Sequence, residues 1–454
     1  MPVVVAFSIF HVILFILVSC YRKDKACLRY IMFIWMLSSI FSIIFYTASQ
    51  EYNKITIIPY IFFATCLAIS IIPFGYIDDR YSTITIRNKF FFERIILFFC
   101  LISIIPFFEN AIHLVKTFSF DNSDALATLY ADKMEGDFDK QKVVNWYSPV
   151  GKICNSLNLK FQYCSLFLLF LYLGYGKINK YKLGGLLMGC VNPVLYTLSL
   201  SGRSAVVFTS LNAIFTYLMF RNYIKNRIYI KRLKAVAIGI FSIFILLFSI
   251  MTFARYSMSE GAQTVSMLGW ISLYAGEGTL NFNQNMWHTQ AFTEGDNCFA
   301  FIKYILGMDT FTDFLERRDY WGPKMGISPS RFYTFIGDIY SDLGYFIIPF
   351  LLTLSSILKK AIYKKHVIAS NKLYILYVWG MLCVTGFTCF TYKTFSNSLD
   401  LFTGFLIIWL INSSIGLKNK NDIFITPQYF IKYNYGKQKS KSHSLLLTPV
   451  SSDS

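Results

Sequence analysis

The sequence predicts an all-α membrane protein that crosses the bilayer about eleven times. Of its 454 residues, 55% are hydrophobic and only 15% are charged, a balance far from that of a water-soluble domain. The hydrophobic residues fall in runs that approach the ~20 residues a helix needs to cross ~30 Å of hydrocarbon. In chain order the runs are Val3–Cys20, Cys27–Ala48, Ile55–Tyr76, Ile95–Val115, Leu157–Gly176, Leu183–Leu200, Ala205–Phe220, Ala235–Ala254, Tyr345–Leu358, Leu373–Phe390 and Leu399–Asn412.

The basic residues are concentrated in every second connection, which predicts the orientation. The connections that follow the odd-numbered helices contain 28 of the 43 Lys and Arg, at 22–29, 80–94, 177–182, 221–234, 359–372 and 418–441. The short connections between them contain only Lys54, Arg203 and Lys393. The positive-inside rule therefore predicts a periplasmic N-terminus and a cytoplasmic C-terminus in a multi-pass inner-membrane protein. This topology explains the net charge of +18, so the charge does not indicate a nucleic-acid partner.

The chain divides into one membrane domain and one tail. We assign residues 1–414 to the membrane domain, with outer loops at 116–152 and 255–342, and residues 415–454 to a polar, disordered cytoplasmic tail. No remaining segment is long enough for a soluble catalytic domain, so we expect any chemistry at the outer face. The longer outer loop contains the apolar stretches Leu268–Tyr274 and Cys298–Met308, which we expect to form short interfacial or re-entrant helices.

Arg203 is the first candidate site residue. It stands alone in the short turn Ser201-Gly202-Arg203-Ser204 between two hydrophobic runs, where a guanidinium is costly unless it faces a wet cavity or an anion. Its planar fork suits bidentate recognition of a pyrophosphate, and the neighbouring glycine permits close backbone approach. The alternative is an arginine at a helix end whose charged group reaches toward the headgroups.

The long outer loop supplies the other charged candidates. Arg255 opens the loop at the predicted depth of Arg203, and Arg331 lies near its end in Ser328-Pro329-Ser330-Arg331-Phe332-Tyr333. Asp338 and Asp342 follow at an i, i+4 spacing and would share one face of a helix. Either carboxylate could pair with an arginine or accept a proton from a sugar hydroxyl.

Glu277, Trp287 and His288 complete the candidates. Glu277 stands between glycines in Ala275-Gly276-Glu277-Gly278, which we interpret as a flexible turn. A base near neutral pH such as His288 would suit the activation of a sugar hydroxyl, although a lone histidine beside a residue such as Trp287 is more often structural. The loop aromatics could stack on sugar rings or anchor the loop at the interface; they are Trp270, Tyr274, Trp287 and Trp321. In the sixth run, Gly185-x-x-x-Gly189 predicts close helix packing.

With these features the chain resembles the bacterial oligosaccharide repeat-unit polymerases that build O-antigen and capsule. The resemblance rests on the eleven-helix layout, the long outer loop, the turn Leu198-Ser199-Leu200-Ser201-Gly202-Arg203-Ser204, and Phe332-Tyr333-Thr334-Phe335 followed by Ile339-Tyr340-Ser341-Asp342-Leu343-Gly344. The layout covers nearly the whole chain, and the short motifs are only moderately specific because this family is divergent.

The resemblance implies a metal-independent glycosyltransferase of GT-C-like fold without a cofactor. It would transfer a growing glycan from undecaprenyl pyrophosphate to a newly flipped lipid-linked repeat unit, beside a flippase and a chain-length regulator. Arg203, with Arg255 or Arg331, would stabilise the departing pyrophosphate. The related O-antigen ligases have a histidine near the position of Tyr333, which weakens the ligase alternative. A non-enzymatic flippase for the same lipid-linked oligosaccharide also remains open.

Overall fold

The chain is a mostly helical membrane protein. The computed structural model describes residues 1–49, 51–77, 82–117, 146–200, 202, 204–224, 266–327, 331, 333–363, 365–388, 395–413 and 422–427, and single positions between 231 and 256. Ten of the eleven hydrophobic runs coincide with helices in this part of the chain. The eighth run, Ala235–Ala254, lies mostly outside the described residues.

The membrane-domain helices before the long loop are α1 (Pro2–Tyr21), α2 (Ala26–Ala48), α3 (Ile57–Ile71), α4 (Lys89–Thr117), α5 (Pro149–Lys160), α6 (Gln162–Tyr175), α7 (Lys180–Ser199) and α8 (Ser204–Phe220). The predicted loop at 255–342 contains α9 (Met267–Gln284), α10 (Ala300–Ile305), α11 (Phe314–Met325) and nearly all of α12 (Phe335–Leu343). After it come α13 (Ile347–Ile362), α14 (Ser370–Thr385) and α15 (Phe395–Asn412).

Five helical segments within the described residues are long and apolar enough to cross a membrane. A sixth is added if α5 and α6, which meet at a 75° bend, form one broken span. Two further apolar helices in this region, Ser204–Phe220 and Leu399–Asn412, are shorter. The five are Pro2–Tyr21, Ala26–Ala48, Ile57–Gly75, Lys89–Lys116 and Phe335–Ile362.

The helices fit the all-α prediction, and a small β-sheet accompanies them. Its central strand β1 (Thr83–Ile86) pairs in parallel with β2 (Val367–Ala369) and antiparallel with β3 (Ile423–Ile425). β3 lies within the predicted tail at residues 415–454. Ile425 is buried against Gly174, and this apolar contact holds the strand to the helical bundle.

The basic connections lie together on one face of the bundle. The sheet joins three of them, at residues 83–86, 367–369 and 423–425. Side-chain contacts bring in the others. Lys25 donates to the carbonyl of Ile77, Tyr223 donates to the carbonyl of Ser82, and the Lys182 ammonium lies 3.8 Å from the Glu93 carboxylate. Segments that the charge pattern assigns to one side of the membrane are therefore neighbours in the fold.

Close glycine contacts set the main helix pairs. A Cβ atom at Gly276 of α9 would lie 2.4 Å from the backbone of Phe41 in α2. Cβ atoms at Gly185 and Gly189 of α7 would lie 2.5 Å and 2.6 Å from side-chain atoms of Cys100 and Ser103 in α4. The predicted packing role of Gly185 and Gly189 is confirmed, because only glycine leaves room for these approaches.

Four buried asparagines join the broken span to its neighbours. Asn110 of α4 donates to Asn155 of α5 and to Asn192 of α7, and Asn192 donates to Asn155 and Asn158. Buried amides are tolerated in apolar surroundings when they bond to one another. Val150 lies on the exposed side of α5, so this helix has a polar face inside and an apolar face outside.

Candidate functional site

Two of the predicted site residues, Arg331 and Glu277, lie in one ion cluster. A side-chain nitrogen of Arg331 lies 3.2 Å from Oε1 of Glu277 and 3.3 Å from the hydroxyl of Tyr52, and it also pairs with Glu51. The Tyr52 hydroxyl donates to Glu277 at 2.8 Å. The cluster therefore joins the α2–α3 connection, helix α9 and the segment before α12.

Burial and charge fix the protonation of this cluster. Burial lowers the pKa of Arg331, but its bonds to Glu51 and Tyr52 outweigh this effect and raise the pKa above its usual value. Burial, followed by the negative charge of Glu277, raises the pKa of Tyr52. Arg331 therefore stays charged and Tyr52 stays protonated, so that both donate to Glu277.

Glu277 does not lie on a turn as predicted. It is in the middle of α9 and is only 3% exposed. Its flanking glycines serve packing: Gly276 approaches α2, and a Cβ atom at Gly278 would lie 2.8 Å from the carbonyl oxygen of Phe387. The side chain is buried as a hydrogen-bonded partner of Arg331 and Tyr52.

Asp342 holds the loop at residues 293–298. Its Oδ1 accepts from the Thr293 hydroxyl at 2.5 Å and from the backbone N–H groups of Gly295 and Asn297, while Oδ2 accepts from the N–H of Cys298 at 2.6 Å. Four donors occupy this carboxylate. Asp342 therefore anchors the loop, and a role as the acceptor of a substrate proton loses support.

Asp338 lies on the same face of α12 and faces the same loop. The side-chain amide of Asn297 donates to Oδ1 of Asp338 at 3.3 Å, and its backbone N–H donates to Asp342 at 3.0 Å. The predicted shared face of the two aspartates is confirmed. On its other side, Asn297 accepts a hydrogen bond from Arg317, a buried arginine of α11.

A cleft opens next to these groups. It encloses about 440 Å³, its open mouth included. Its wall contains Tyr333, which the sequence predicted as a site residue, and Trp321, which it predicted as a sugar-stacking or anchoring aromatic. The other lining residues are Met286, Thr293, Asn297, Arg317, Arg318, Gly322, Met325, Ile327 and Ser341.

Trp321 is oriented by a buried carboxylate. Its indole N–H donates to Oδ2 of Asp296 at 3.0 Å, and Asp296 also pairs with Lys303 at 2.5 Å and accepts from Thr310. These bonds hold one edge of the indole, and the ring contributes to the cleft wall with the Lys324 ammonium 5.5 Å from its centroid. An aromatic face held in this way suits stacking on a sugar ring.

Two predicted substrate-binding residues lie away from the cleft lining. Trp287 stacks on Tyr340 with ring centroids 5.8 Å apart and packs edge-on against Phe62 and Tyr345. This contact joins the loop to α3 and favours the anchoring alternative. His288 is exposed in the short turn that follows α9.

Arg203 and Arg255 lie outside the described residues. The neighbouring Gly202 is described, and its N–H donates to the carbonyl of Thr197 at 2.7 Å. A Cβ atom at position 202 would lie 2.5 Å from a methyl carbon of Thr197. The turn before Arg203 therefore folds back on the end of α7, which requires glycine.

Sequence reasoning missed Arg317, Arg318 and Asp296. The run Glu316-Arg317-Arg318-Asp319 mixes acidic and basic residues like a solvated helix surface, so it gave no sign that Arg317 is buried. The sequence feature that could have marked these residues as a candidate site is the tandem pair itself, because it is the only Arg-Arg dipeptide in the chain. Both arginines line the cleft, and the Arg318 guanidinium also pairs at 3.1 Å with the exposed carboxylate of Asp319. Cationic groups at one cleft are suited to an anion with several oxygens, such as a phosphate or pyrophosphate.

Comparison of the chain with protein-family models, curated proteins and solved structures found no match in any of the three. The resemblance to repeat-unit polymerases therefore stays a prediction.

Proposed function

We propose that this protein joins lipid-linked oligosaccharide repeat units into a surface polysaccharide. In this proposal it spans the inner membrane about eleven times with a GT-C-like fold and a periplasmic N-terminus. Its substrate is an oligosaccharide on undecaprenyl pyrophosphate, and no metal takes part. A flippase delivers the repeat units and a chain-length regulator acts beside it.

The observation that carries the proposal is the cleft that contains Arg317, Arg318, Trp321 and Tyr333. Cationic groups for a phosphate and an aromatic face for a sugar stand within one cavity, which matches the two chemical parts of a glycosyl pyrophosphate. The cleft borders α12, from which α13 leads to strand β2 among the basic connections. It therefore lies at the end of α13 opposite the predicted cytoplasmic face.

The proposed step is the attack of an acceptor sugar hydroxyl on the anomeric carbon of the donor glycan. A carbon–oxygen bond to the acceptor forms, the bond to the pyrophosphate breaks, and the pyrophosphate leaves with the bonding electrons. Arg317 and Arg318 stabilise its developing negative charge at a preorganised site. The acceptor proton passes to a base whose identity is open; Tyr333 is the described lining residue with an ionisable side-chain oxygen.

Arg331 has a different role in this proposal from the one that the sequence suggested. It is already paired with Glu51 and Glu277 and bonded to Tyr52, so the cluster carries more negative than positive charge. This balance does not favour a pyrophosphate. We assign Arg331 to the support of the α9–α12 region and give the charge-stabilising role to Arg317 and Arg318, with Arg203 and Arg255 kept as candidates.

The test is the length of the surface glycan in a deletion strain that carries wild type, Arg317→Gln or Lys54→Gln at equal membrane levels. Lys54→Gln is the control, because it removes one positive charge at an exposed position of the α2–α3 connection, outside the cleft lining. We expect long chains from wild type and from the control. Arg317→Gln should leave single repeat units, with a loss of ~10²–10³ in rate if it stabilises the transition state.

Other outcomes would identify the rival functions. Repeat units that accumulate at the cytoplasmic face of the deletion strain would indicate a flippase. Free polymer that is never attached to its final lipid would indicate a ligase. Full-length glycan from Arg317→Gln, with a correctly folded protein, would overturn the assignment of the cleft.

A further inference from the structure

An apolar groove runs between α1 and α3. α1 lines it from Val3 to Phe10, and α3 lines it from Ile57 to Ala68. The groove encloses about 830 Å³, its open side included, and apart from Tyr60 and Thr65 its lining side chains are hydrocarbon. Small alanine side chains on both walls leave the gap: Ala6, Ala64 and Ala68.

The groove opens sideways at membrane depth. Both walls belong to helices that are long and apolar enough to cross a membrane. Ile57 and Ile61, at the groove edge, are more than half exposed. A cavity with such walls is filled by hydrocarbon in a bilayer, because water gains no hydrogen bonds there.

The length of the groove matches one leaflet. From Ile57 to Ala68 the helix rises about 16 Å at ~1.5 Å per residue, which is close to half of the ~30 Å hydrocarbon thickness. Ile57 begins α3 at the end opposite the basic connections. In the proposed orientation the groove therefore lies in the outer leaflet, where the lipid-linked substrate is delivered.

The outer end of the groove adjoins the ion cluster around Glu277. Asn283 of α9 accepts from the N–H of Thr56 at 3.0 Å and donates to its carbonyl at 2.7 Å, and Thr56 directly precedes Ile57. Glu277 lies six residues before Asn283, about 9 Å along the same helix. Gly278, the next residue, packs on Thr334 and the backbone of Tyr333 in the cleft wall. Helix α9 thus contacts both the outer end of the groove and the wall of the cleft.

We propose that this groove binds the polyprenyl chain of the lipid carrier and holds the carrier with its head toward the cleft. The groove is a single furrow between two helices, which suits a lipid with one hydrocarbon chain better than a phospholipid with two. The gaps at the three alanines accept the methyl branches of isoprene units. This proposal rests on the proposed function, because it takes the polyprenyl-linked glycan as the substrate.

The test uses the full-length protein in nanodiscs and a polyprenyl monophosphate with a photoreactive group in its chain. We expect crosslinks in residues 3–10 and 57–68, and competition by unlabelled polyprenyl phosphate but not by phosphatidylglycerol. Ala64→Trp should fill the groove and reduce labelling roughly tenfold. Ile58→Trp is the matched control, since Ile58 is 64% exposed on the same helix outside the groove lining, and its labelling should stay near wild type.

Ala6→Leu fills the groove from the opposite wall and serves if Ala64→Trp does not fold. Equal competition by phosphatidylglycerol would show an ordinary lipid groove and overturn the proposal, as would unchanged labelling in folded Ala64→Trp or Ala6→Leu. The labelling does not depend on glycan synthesis. Polyprenyl-specific labelling together with normal glycan from Arg317→Gln would therefore contradict the cleft assignment and leave the groove proposal intact. Loss of long glycan in Arg317→Gln together with labelling that phosphatidylglycerol competes away would support the cleft and overturn the groove proposal.

Discussion

The hydroxyl of Tyr52 and the carboxylate of Glu277 lie 2.8 Å apart although 225 residues separate them in the sequence. This bond joins the short α2–α3 connection to the middle of α9. Arg331 bonds to both groups, so three segments that are distant in the chain depend on one buried carboxylate. The contact holds the α2–α3 connection, α9 and the segment before α12 together.

Glu277→Ala should destabilise the protein much more than Glu51→Ala. Both carboxylates pair with Arg331, but Glu277 is 3% exposed whereas the Glu51 side chain is 57% exposed. Removal of Glu277 leaves the buried Tyr52 hydroxyl without its acceptor, which costs about 1–3 kcal/mol. An exposed pair contributes about 0–1 kcal/mol.

Thermal unfolding of both variants in the same detergent measures this difference. Glu277→Gln provides a second comparison, because it retains an acceptor for Tyr52 and removes the charge. Equal melting temperatures for the Glu277→Ala and Glu51→Ala proteins would contradict the structural role of Glu277.

Asp342→Asn should release the loop at residues 293–298. An asparagine side chain keeps one oxygen, but its NH₂ group then faces a backbone N–H that needs an acceptor. The unsatisfied groups cost about 1–3 kcal/mol. Hydrogen exchange of the backbone amides in this loop should rise strongly, with a smaller rise for Thr293→Val, which removes only one side-chain donor.

This measurement also separates an anchor from a proton acceptor. If Asp342 anchors the loop, glycan synthesis falls in proportion to the gain in amide exchange. Loss of synthesis with unchanged exchange would instead make Asp342 a group that acts on the substrate.

The sequence predicted those features that local patterns determine. The hydrophobic runs gave the helices, the i, i+4 spacing put Asp338 and Asp342 on one face, and Gly185 and Gly189 marked a close helix contact. The sheet was not predictable in this way, because its strands of three or four residues come from connections far apart in the chain. Such pairing depends on tertiary context, which overrides weak local propensity.

Glu277 shows the same limit within the site. Glycine on both sides of a charged residue usually signals a turn, so the local pattern predicted one. In the fold these glycines permit the backbone of α2 and the Phe387 carbonyl to approach α9. The burial of Arg317 had no local signal either, because its partner Asn297 is held by Asp338 and Asp342 from another helix.

Gly276→Ala should destabilise the protein, and Gly184→Ala should not. A Cβ atom at position 276 would meet the Phe41 backbone at 2.4 Å, so α2 and α9 must separate. Overpacking of this kind costs about 1–3 kcal/mol. At Gly184 of α7 nothing lies within 4 Å of the added Cβ, and alanine gains helix propensity of about 1 kcal/mol. Melting temperatures of the two variants should therefore move in opposite directions, and a similar decrease in both would contradict the close α2–α9 contact.

The tail contains a structural strand, and two truncations locate it. A protein that ends after residue 427 keeps β3, whereas one that ends after residue 413 loses it. Loss of β3 exposes the edge of β1 and removes the buried Ile425 from its contact with Gly174. Removal of a buried isoleucine side chain alone costs about 2–5 kcal/mol. We expect the shorter protein to melt several degrees lower and the longer one to melt like the full chain.

The variant Ile425→Asp in the full chain should reproduce the loss, because it puts a charge at the same buried position. Equal melting temperatures for both truncated proteins would show that β3 contributes little and that the basic connections are held by β1, β2 and the helices alone.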